Sequence, residues 1–235
     1  MAATASETIR FVSDGVTLNA FLAFPTPPAA GRLPAVLVLQ EWWGLNDHIK
    51  EIARRFAGAG YVSCAPDLYA RLGSTGTTDP KEAAQLMSRL SSQTVLRDLN
   101  AAIQSLKQRP LVDPLRIGMV GFCMGGTFAL MMASHNSDLK AVVPFYGKVP
   151  PVETLRYLVC PVLYHYGAKD GWVTSQEVDR LRQGLAAYGK AGVVHVYPEA
   201  NHAFFNDTRP DVYRAEEAAL AWERTLQFLG QRLRP

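Results

Sequence analysis

The sequence is poor in cysteine, in surplus charge and in long apolar runs. It holds three cysteines among 235 residues, an odd and widely spaced set, so we do not expect a disulfide-stapled secreted module. With 24 basic and 21 acidic residues the formal net charge is +3, and the chain carries no dense Lys/Arg block that would favour nucleic acid as a partner. The apolar run 33–39, broken by Pro34, is far shorter than the ~20 residues of a membrane span.

What is present is the composition of a folded domain. Hydrophobic residues make up 48% of the chain, which excludes a disordered chain and is ample for a core. Residues 1–8 lack the basic and apolar regions of a signal peptide, so we expect a cytoplasmic protein with no membrane partner. Because no stretch marks a linker, we expect one domain over residues 1–235.

Apolar patterning predicts an α/β fold. Two extended runs, 8–13 and 16–24, flank Asp14-Gly15, a dipeptide suited to a tight hairpin. The continuous apolar run 35–39 is typical of a strand covered on both faces. Strands are then predicted at 61–65, 116–120, 140–145, 159–165 and 193–197, and helices at 46–59, 80–90, 94–108, 124–134, 175–188 and 211–233. The pattern predicts a mostly parallel central sheet flanked by helices, with antiparallel N-terminal strands, and ligands at the carboxyl ends of its strands.

The first candidate for chemistry is Cys123. It lies in Gly121-x-Cys123-x-Gly125, between a predicted strand and a predicted helix, which is the context of a nucleophile elbow with Cys in place of Ser. A sharp turn needs small neighbours two residues away, and the helix N-terminus favours a thiolate. A buried structural cysteine in a Gly-rich turn is the alternative.

Two further residues follow later strands in the order that this architecture requires. Asp170 comes after the strand 159–165, and His202 comes after the strand 193–197. Alone, Asp170 would be a turn or capping residue, and His202 a surface loop residue. Together with Cys123 they predict a nucleophile–acid–histidine triad. His202 would handle protons, Asp170 would orient the imidazole, and the Met124 N–H would donate to an oxyanion.

A second loop adds Glu41 and Trp42, directly after the buried run 35–39. This loop supplies the second oxyanion N–H in such hydrolases, which points to Trp42. Glu41 is either a solvated loop acid or a base that takes the proton of the thiol.

The chain resembles the dienelactone hydrolase (carboxymethylenebutenolidase) family over nearly its whole length. The resemblance rests on Gln40-Glu41-x-x-Gly44, Pro66-Asp67-Leu68-Tyr69, Gly121-Phe122-Cys123-Met124-Gly125-Gly126, Phe145-Tyr146-Gly147, Ala200-Asn201-His202-Ala203-Phe204 and Glu223-Arg224-Thr225-Leu226. It implies a monomeric α/β-hydrolase fold, the Cys123–His202–Asp170 triad, and Glu41 as the group that deprotonates the thiol when substrate binds. By the same resemblance Tyr146 lines the site.

The sequence departs from the family at its substrate-binding arginines. Asn206 stands four residues after His202, where the best-known members carry an Arg that holds a substrate carboxylate. For a second family arginine, Arg71 and Arg89 are the nearest choices, and Arg209 could reach in from the loop of Asn206. Asn cannot replace a bidentate Arg–carboxylate contact. We assign substrate binding to Tyr146, Phe204 and Arg71. An apolar site for a different ester or lactone is indicated by the aromatic residues Trp42, Trp43, Trp172, Phe204 and Phe205.

The other thiols and imidazoles are assigned to packing or to the surface. Cys64 and Cys160 are expected in the core, His165 and His195 in strand packing or hydrogen bonding, and His48 and His135 on exposed helix faces. No spacing reads as a metal site, and neither a P-loop nor a dinucleotide motif is present, so no cofactor is expected.

The leading hypothesis is thus a cofactor-independent cysteine hydrolase of a lactone or activated ester, acting through an acyl-thioester. A broad carboxylesterase or thioesterase is the alternative within the same class. A binding protein in which Cys123 is a redox-responsive thiol is the alternative from another class.

Overall fold

A computed structural model describes residues 3–27 and 31–234, and in these ranges strands and helices alternate. The strands are β1 (Thr4–Ser13), β2 (Val16–Pro25), β3 (Leu33–Leu39), β4 (Val62–Pro66), β5 (Val112–Phe122), β6 (Leu139–Phe145), β7 (Val162–Gly167) and β8 (Gly192–Tyr197). The α-helices are α1 (Asp47–Gly58), α2 (Pro80–Ser88), α3 (Ser92–Lys107), α4 (Met124–Met132), α5 (Ser175–Ala187) and α6 (Ala215–Leu233). Short 3₁₀ helices at Ala70–Leu72 and Val152–Tyr157 were not predicted. None of the helices in these ranges has both the length and the apolar character to cross a bilayer.

The strands form one sheet in the order β1-β2-β4-β3-β5-β6-β7-β8. β1 and β2 are antiparallel. The pairs β3–β4, β6–β7 and β7–β8 are parallel. The hairpin residues Asp14 and Gly15 have φ of 50° and 72°, as a tight turn between twisted strands requires. The predicted mostly parallel sheet with antiparallel N-terminal strands is therefore confirmed.

The chain divides into two compact units, one up to Met119 and one from Val120, so the boundary lies within β5. In the first unit, α1 packs on β2 and β4 through an apolar face that includes Ile49, Ile52 and Phe56. In the second unit, α4 and α6 pack on β6. The prediction of a single domain over residues 1–235 stays a prediction.

Helices α1 and α6 differ from the sequence prediction, the first in the exposure of a histidine and the second in its first residue. His48 on α1 is 4% exposed, so its predicted exposure is wrong, because it lies beside Ile49 on the covered side of the helix. Helix α6 begins at Ala215 rather than at 211, because Pro210 lies inside a turn in which the Val212 N–H donates to the Arg209 carbonyl at 3.1 Å. The covered stripe of α6 also contains the polar residue Thr225, which is fully buried.

Candidate active site

Cys123 lies at the sharp junction between β5 and α4. Its backbone has φ 54° and ψ −118°, a conformation that L residues rarely adopt, and it is the N-cap residue of α4. The Cys123 N–H donates to the carbonyl of Phe145 at 3.0 Å, which joins the turn to the end of β6. The residue is 7% exposed. A cysteine held in this way has the backbone geometry of a nucleophile elbow at a helix N-terminus.

Glycines make this turn possible. A Cβ atom at Gly121 would collide with the carbonyl of Gly125, and one at Gly126 would lie 2.6 Å from the carbonyl oxygen of Phe145. Real side chains cannot occupy such positions unless the backbone moves. The strained turn with small neighbours, which the spacing of Gly121, Cys123 and Gly125 predicts, is therefore present.

Asp170 and His202 meet directly. The Nδ1 atom of His202 lies 2.8 Å from Oδ2 of Asp170, whose side chain is fully buried, whereas 23% of the His202 side chain is exposed. The other carboxylate oxygen of Asp170 accepts hydrogen bonds from the backbone N–H groups of Trp172 and Val173, at 2.7 and 2.8 Å. Asp170 is thus a turn residue and a partner of His202 at once, and its carboxylate can hold one orientation of the imidazole.

The loops that carry Asp170 and His202 are tied together at the end of β8. The carbonyl of Tyr197 accepts from the N–H groups of Ala168 and Ala200, at 2.9 and 3.2 Å, and the Lys169 N–H donates to the Ala200 carbonyl at 2.9 Å. These backbone hydrogen bonds fix the spacing of the two loops. The relative position of Asp170 and His202 therefore depends on the backbone as well as on their own side chains.

Tyr146 joins the histidine to the end of β6. It has a φ of 41°, is fully buried, and its ring centroid lies 5.0 Å from that of His202. Ala203, which follows His202, also has a positive φ, of 62°. Cys123 and Tyr146, which directly follow β5 and β6, and Ala203, in the loop after β8, are thus strained residues, and strained residues are common at functional sites. Phe204 is also fully buried, and its ring lies 5.6 Å from that of Tyr146.

A lysine that the sequence analysis missed, Lys148, lies close to the Asp170–His202 pair. The ammonium of Lys148 donates to the carbonyl of Trp172, lies 3.2 Å from Oε2 of Glu177, and sits 5.2 Å from the centre of the Trp172 indole. That indole in turn lies 5.1 Å from the imidazole of His202. The signal was available, because Lys148 directly follows Phe145-Tyr146-Gly147 at a strand's carboxyl end.

The first unit holds Glu41 and Trp42 in an ordered segment after β3. Glu41 is 2% exposed, so the alternative of a solvated loop acid is excluded. The carbonyl of Trp42 accepts from the hydroxyl of Tyr69 at 2.8 Å, and the Trp42 ring lies 4.8 Å from that of Trp43. Glutamate side chains are seldom buried to this extent, so Glu41, on a segment anchored by Tyr69, is a candidate functional group.

The predicted cations are engaged elsewhere. Arg71 makes a fork to Asp98, with its Nε at 3.0 Å and its Nη2 at 2.6 Å from the two carboxylate oxygens, and Nη2 also donates to the carbonyl of Ser13. This network lies within the first unit, and substrate binding by Arg71 stays a prediction that the fork does not favour. Arg209 pairs with Asp211 at 2.7 Å.

Asn206 organises its own loop. It is 1% exposed, and its Oδ1 accepts from the N–H and the hydroxyl of Thr208, at 3.1 and 2.7 Å. The residue at the place of the family arginine therefore has a local structural role in this chain.

The remaining cysteines are core residues, as predicted. Burial raises the pKa of the Cys64 and Cys160 thiols to about 12, which makes both inert near neutral pH. His135 is exposed, as predicted. Among the described residues, no group of three or more His, Cys, Asp or Glu side chains could hold a metal ion.

Known proteins resemble this chain over most of its length. The model of the dienelactone hydrolase family matches residues 18–233. A protein of Methylorubrum extorquens provisionally named carboxymethylenebutenolidase is 38% identical, covering 94% of this chain and 78% of its own. A Bradyrhizobium protein provisionally named 2-oxo-3-(5-oxofuran-2-ylidene)propanoate lactonase is 32% identical, covering 92% and 90%.

A solved structure gives the same result for the fold. The crystal structure of a provisionally named dienelactone hydrolase from Klebsiella pneumoniae superposes with a TM-score of 0.92 and 35% identity, covering 97% of this chain and 99% of that one. This likeness confirms the α/β-hydrolase fold that the sequence predicts. The chain belongs to the dienelactone hydrolase family and is a hydrolase of ester or lactone bonds.

Proposed function

We propose that this protein hydrolyses lactones or activated esters of small molecules with Cys123 as the nucleophile. The observation that carries the proposal is the position of Cys123 at φ 54° at the start of α4. That geometry holds the side chain out of a tight turn at a helix N-terminus, where a thiolate is favoured. The His202–Asp170 hydrogen bond of 2.8 Å supplies the proton-handling partner.

In the acylation step, the Cys123 thiolate attacks the carbonyl carbon of the substrate and a C–S bond forms. The π electrons move to the carbonyl oxygen, which is stabilised by the backbone N–H groups of Met124 and Trp42. When the intermediate collapses, the C–O bond breaks, and the leaving oxygen receives, through Nε2 of His202, the proton that the thiol of Cys123 gave up. In a lactone that oxygen stays attached to the acyl chain.

In the deacylation step, water attacks the thioester and His202 accepts its proton. The C–S bond breaks, and a carboxylic acid and the thiolate result. Asp170 holds the Nδ1–H of His202, so that Nε2 faces the reacting atoms. Every atom and electron is supplied by substrate, water and these side chains, so the reaction needs no cofactor.

Glu41 is proposed to remove the proton from Cys123 when substrate is present. A free cysteine thiol has a pKa of about 8.5, so only a few per cent of it is thiolate at neutral pH. The support is the family resemblance and the burial of Glu41. Tyr146 and Phe204 are proposed to line the substrate site. A monomer in the cytoplasm stays our prediction.

Broad carboxylesterase or thioesterase activity is favoured by a separate observation, the engagement of Asn206 with Thr208 and of Arg71 with Asp98. Because these side chains already bond to other residues, a carboxylate beside the scissile bond of a substrate adds little to its affinity. Paired substrates with and without that carboxylate separate the two functions. Values of kcat/KM that agree within a few-fold favour the broad esterase, whereas a preference of about 100-fold for the carboxylate favours a dienelactone-type substrate.

The decisive experiment uses Cys123→Ala on an activated aryl ester. The loss of kcat is expected to be about 10³-fold or more, and mass spectrometry of the quenched wild-type protein should find the acyl group on Cys123. Retained activity in Cys123→Ala would remove the proposal. Peroxide-driven oxidation of Cys123 without acylation would favour the redox-sensing alternative instead.

A further inference from the structure

We propose that the imidazole of His165, with the hydroxyls of Tyr197 and Thr225, is a positioning network that holds the loops of Asp170 and His202. The inference rests on the proposed function, because positioning matters only if that pair acts in the reaction. The role assigned to the three side chains is indirect. They act through the backbone at the ends of β7 and β8.

The network spans β7, β8 and α6. His165 is fully buried in β7, its Nδ1 lies 2.8 Å from the hydroxyl of Tyr197, and its Nε2 lies 3.1 Å from the hydroxyl of Thr225. Thr225, also fully buried, donates its own proton to the carbonyl of Ala221 at 2.7 Å. Both ring nitrogens and both hydroxyls are therefore engaged in one continuous chain of hydrogen bonds.

The proton positions in this chain follow from the donor inventory. A threonine hydroxyl has one hydrogen, and that of Thr225 points at Ala221, so Thr225 must accept from His165. Nε2 of His165 then carries the ring proton, and Nδ1 accepts from the hydroxyl of Tyr197. Burial, with the nearby His195 and Arg224, lowers the pKa of His165 well below its usual range, which keeps the ring in this neutral form.

The network reaches the candidate site by two routes. The backbone carbonyl of His165 accepts from the N–H of Tyr146 at 2.8 Å, which fixes the strained residue against which His202 packs. The carbonyl of Tyr197 accepts from Ala168 and Ala200, the bonds that tie the two loops together. Anchoring the tip of the Tyr197 side chain therefore limits how far the end of β8, and with it His202, can move.

An imidazole in this place is a poor choice for packing alone. An aliphatic residue would fill a buried strand position without the desolvation cost of two ring nitrogens. Buried polar networks restrict a structure to one arrangement when every member is satisfied. The imidazole of His165 lies among three other rings, those of Phe145 at 4.3 Å, Tyr197 at 5.8 Å and His195 at 5.9 Å.

The test deletes single hydroxyl groups with Tyr197→Phe and Thr225→Val, and restores one with Thr225→Ser. We expect kcat on an activated aryl ester to fall about ten-fold in the first two variants with KM changed less than two-fold, because small displacements of a catalytic pair reduce the rate strongly. Thr225→Ser should recover most of that loss. The variant that combines Tyr197→Phe with Thr225→Val should have a kcat only slightly below that of either single variant, because both substitutions interrupt the same chain of hydrogen bonds.

The control for general loss of stability is Ile103→Val, a buried aliphatic residue of α3 in the first unit. It should lower the melting temperature with kcat unchanged. If Tyr197→Phe and Thr225→Val also lower the melting temperature but leave kcat at the wild-type value, the network is structural only and the inference fails. If Cys123→Ala retains activity, the proposed function fails instead, so the two failures are distinguishable.

Discussion

Oδ2 of Asp170 lies 2.8 Å from Nδ1 of His202, while Oδ1 accepts two backbone N–H groups. The two oxygens therefore have different roles: Oδ1 stabilises the turn, and Oδ2 bonds to the imidazole. Because the turn fixes which oxygen faces His202, the carboxylate selects the tautomer with a proton on Nδ1. Nε2 is then the atom that can exchange protons with substrate.

Asp170→Asn should reveal this division of tasks. The two backbone donors require an oxygen at the Oδ1 position, so the amide NH₂ must face His202 and force the opposite tautomer. We expect kcat to fall by about 10³–10⁴-fold while the fold is preserved. Steady-state kinetics and a thermal melt on the same sample check both parts. An unchanged kcat would show that Asp170 serves only its turn.

Gly121→Ala should break the elbow. Its Cβ would meet the backbone carbonyl of Gly125, which cannot rotate away as a flexible side chain could. We expect a loss of more than about 2 kcal/mol in the free energy of unfolding, together with loss of activity. Gly230→Ala is the matched control in α6, because an added Cβ there has nothing within 4 Å outside its own helix. That variant should gain up to about 1 kcal/mol from helix propensity.

The sharp turn at Cys123 and the positions of Asp170 and His202 after their strands could be predicted, because short sequence patterns determine them. A sharp strand–helix turn demands glycines two residues from Cys123, and the order of the strands fixes where Asp170 and His202 must follow. The His165–Thr225 pair could not be predicted, because its members are 60 residues apart and interrupt otherwise apolar patterns. The orientation of Asn206 also depends on a hydrogen bond to its own loop, which composition does not reveal.

The pH dependence of stability should carry the signature of His165. Because burial lowers the pKa of this imidazole well below its usual range, the native protein leaves it neutral while the unfolded chain protonates it below about pH 6.5. Unfolding then takes up a proton, so His165 lowers stability by about 1.4 kcal/mol per pH unit as the pH falls through that range. His195, whose pKa burial also lowers, acts in the same direction.

Asp67 has the opposite effect on the pH dependence of stability, and the substitution Asp67→Asn removes that effect. Burial raises the pKa of its carboxyl to about 6, so the native protein holds a proton there that the unfolded chain releases above about pH 4. As the pH falls through this window, Asp67 therefore adds stability. Denaturant unfolding at about pH 6.5 and pH 5 should show a steeper loss in Asp67→Asn than in the wild type. A shallower loss in the variant would contradict the protonation state assigned to Asp67, whereas stability that does not fall in either protein would contradict the neutral state assigned to His165.

Glu41→Gln tests the proposed base without changing its volume. The amide cannot accept the thiol proton, so kcat/KM should fall by about 10²-fold or more near neutral pH. Glu51→Gln is the matched control, since this glutamate lies on the exposed side of α1 and pairs with Arg54 at 3.1 Å. Its rate should equal that of the wild type. Equal rates in both variants would leave Glu41 with a structural role, and His202 would then be the group that receives the proton of Cys123.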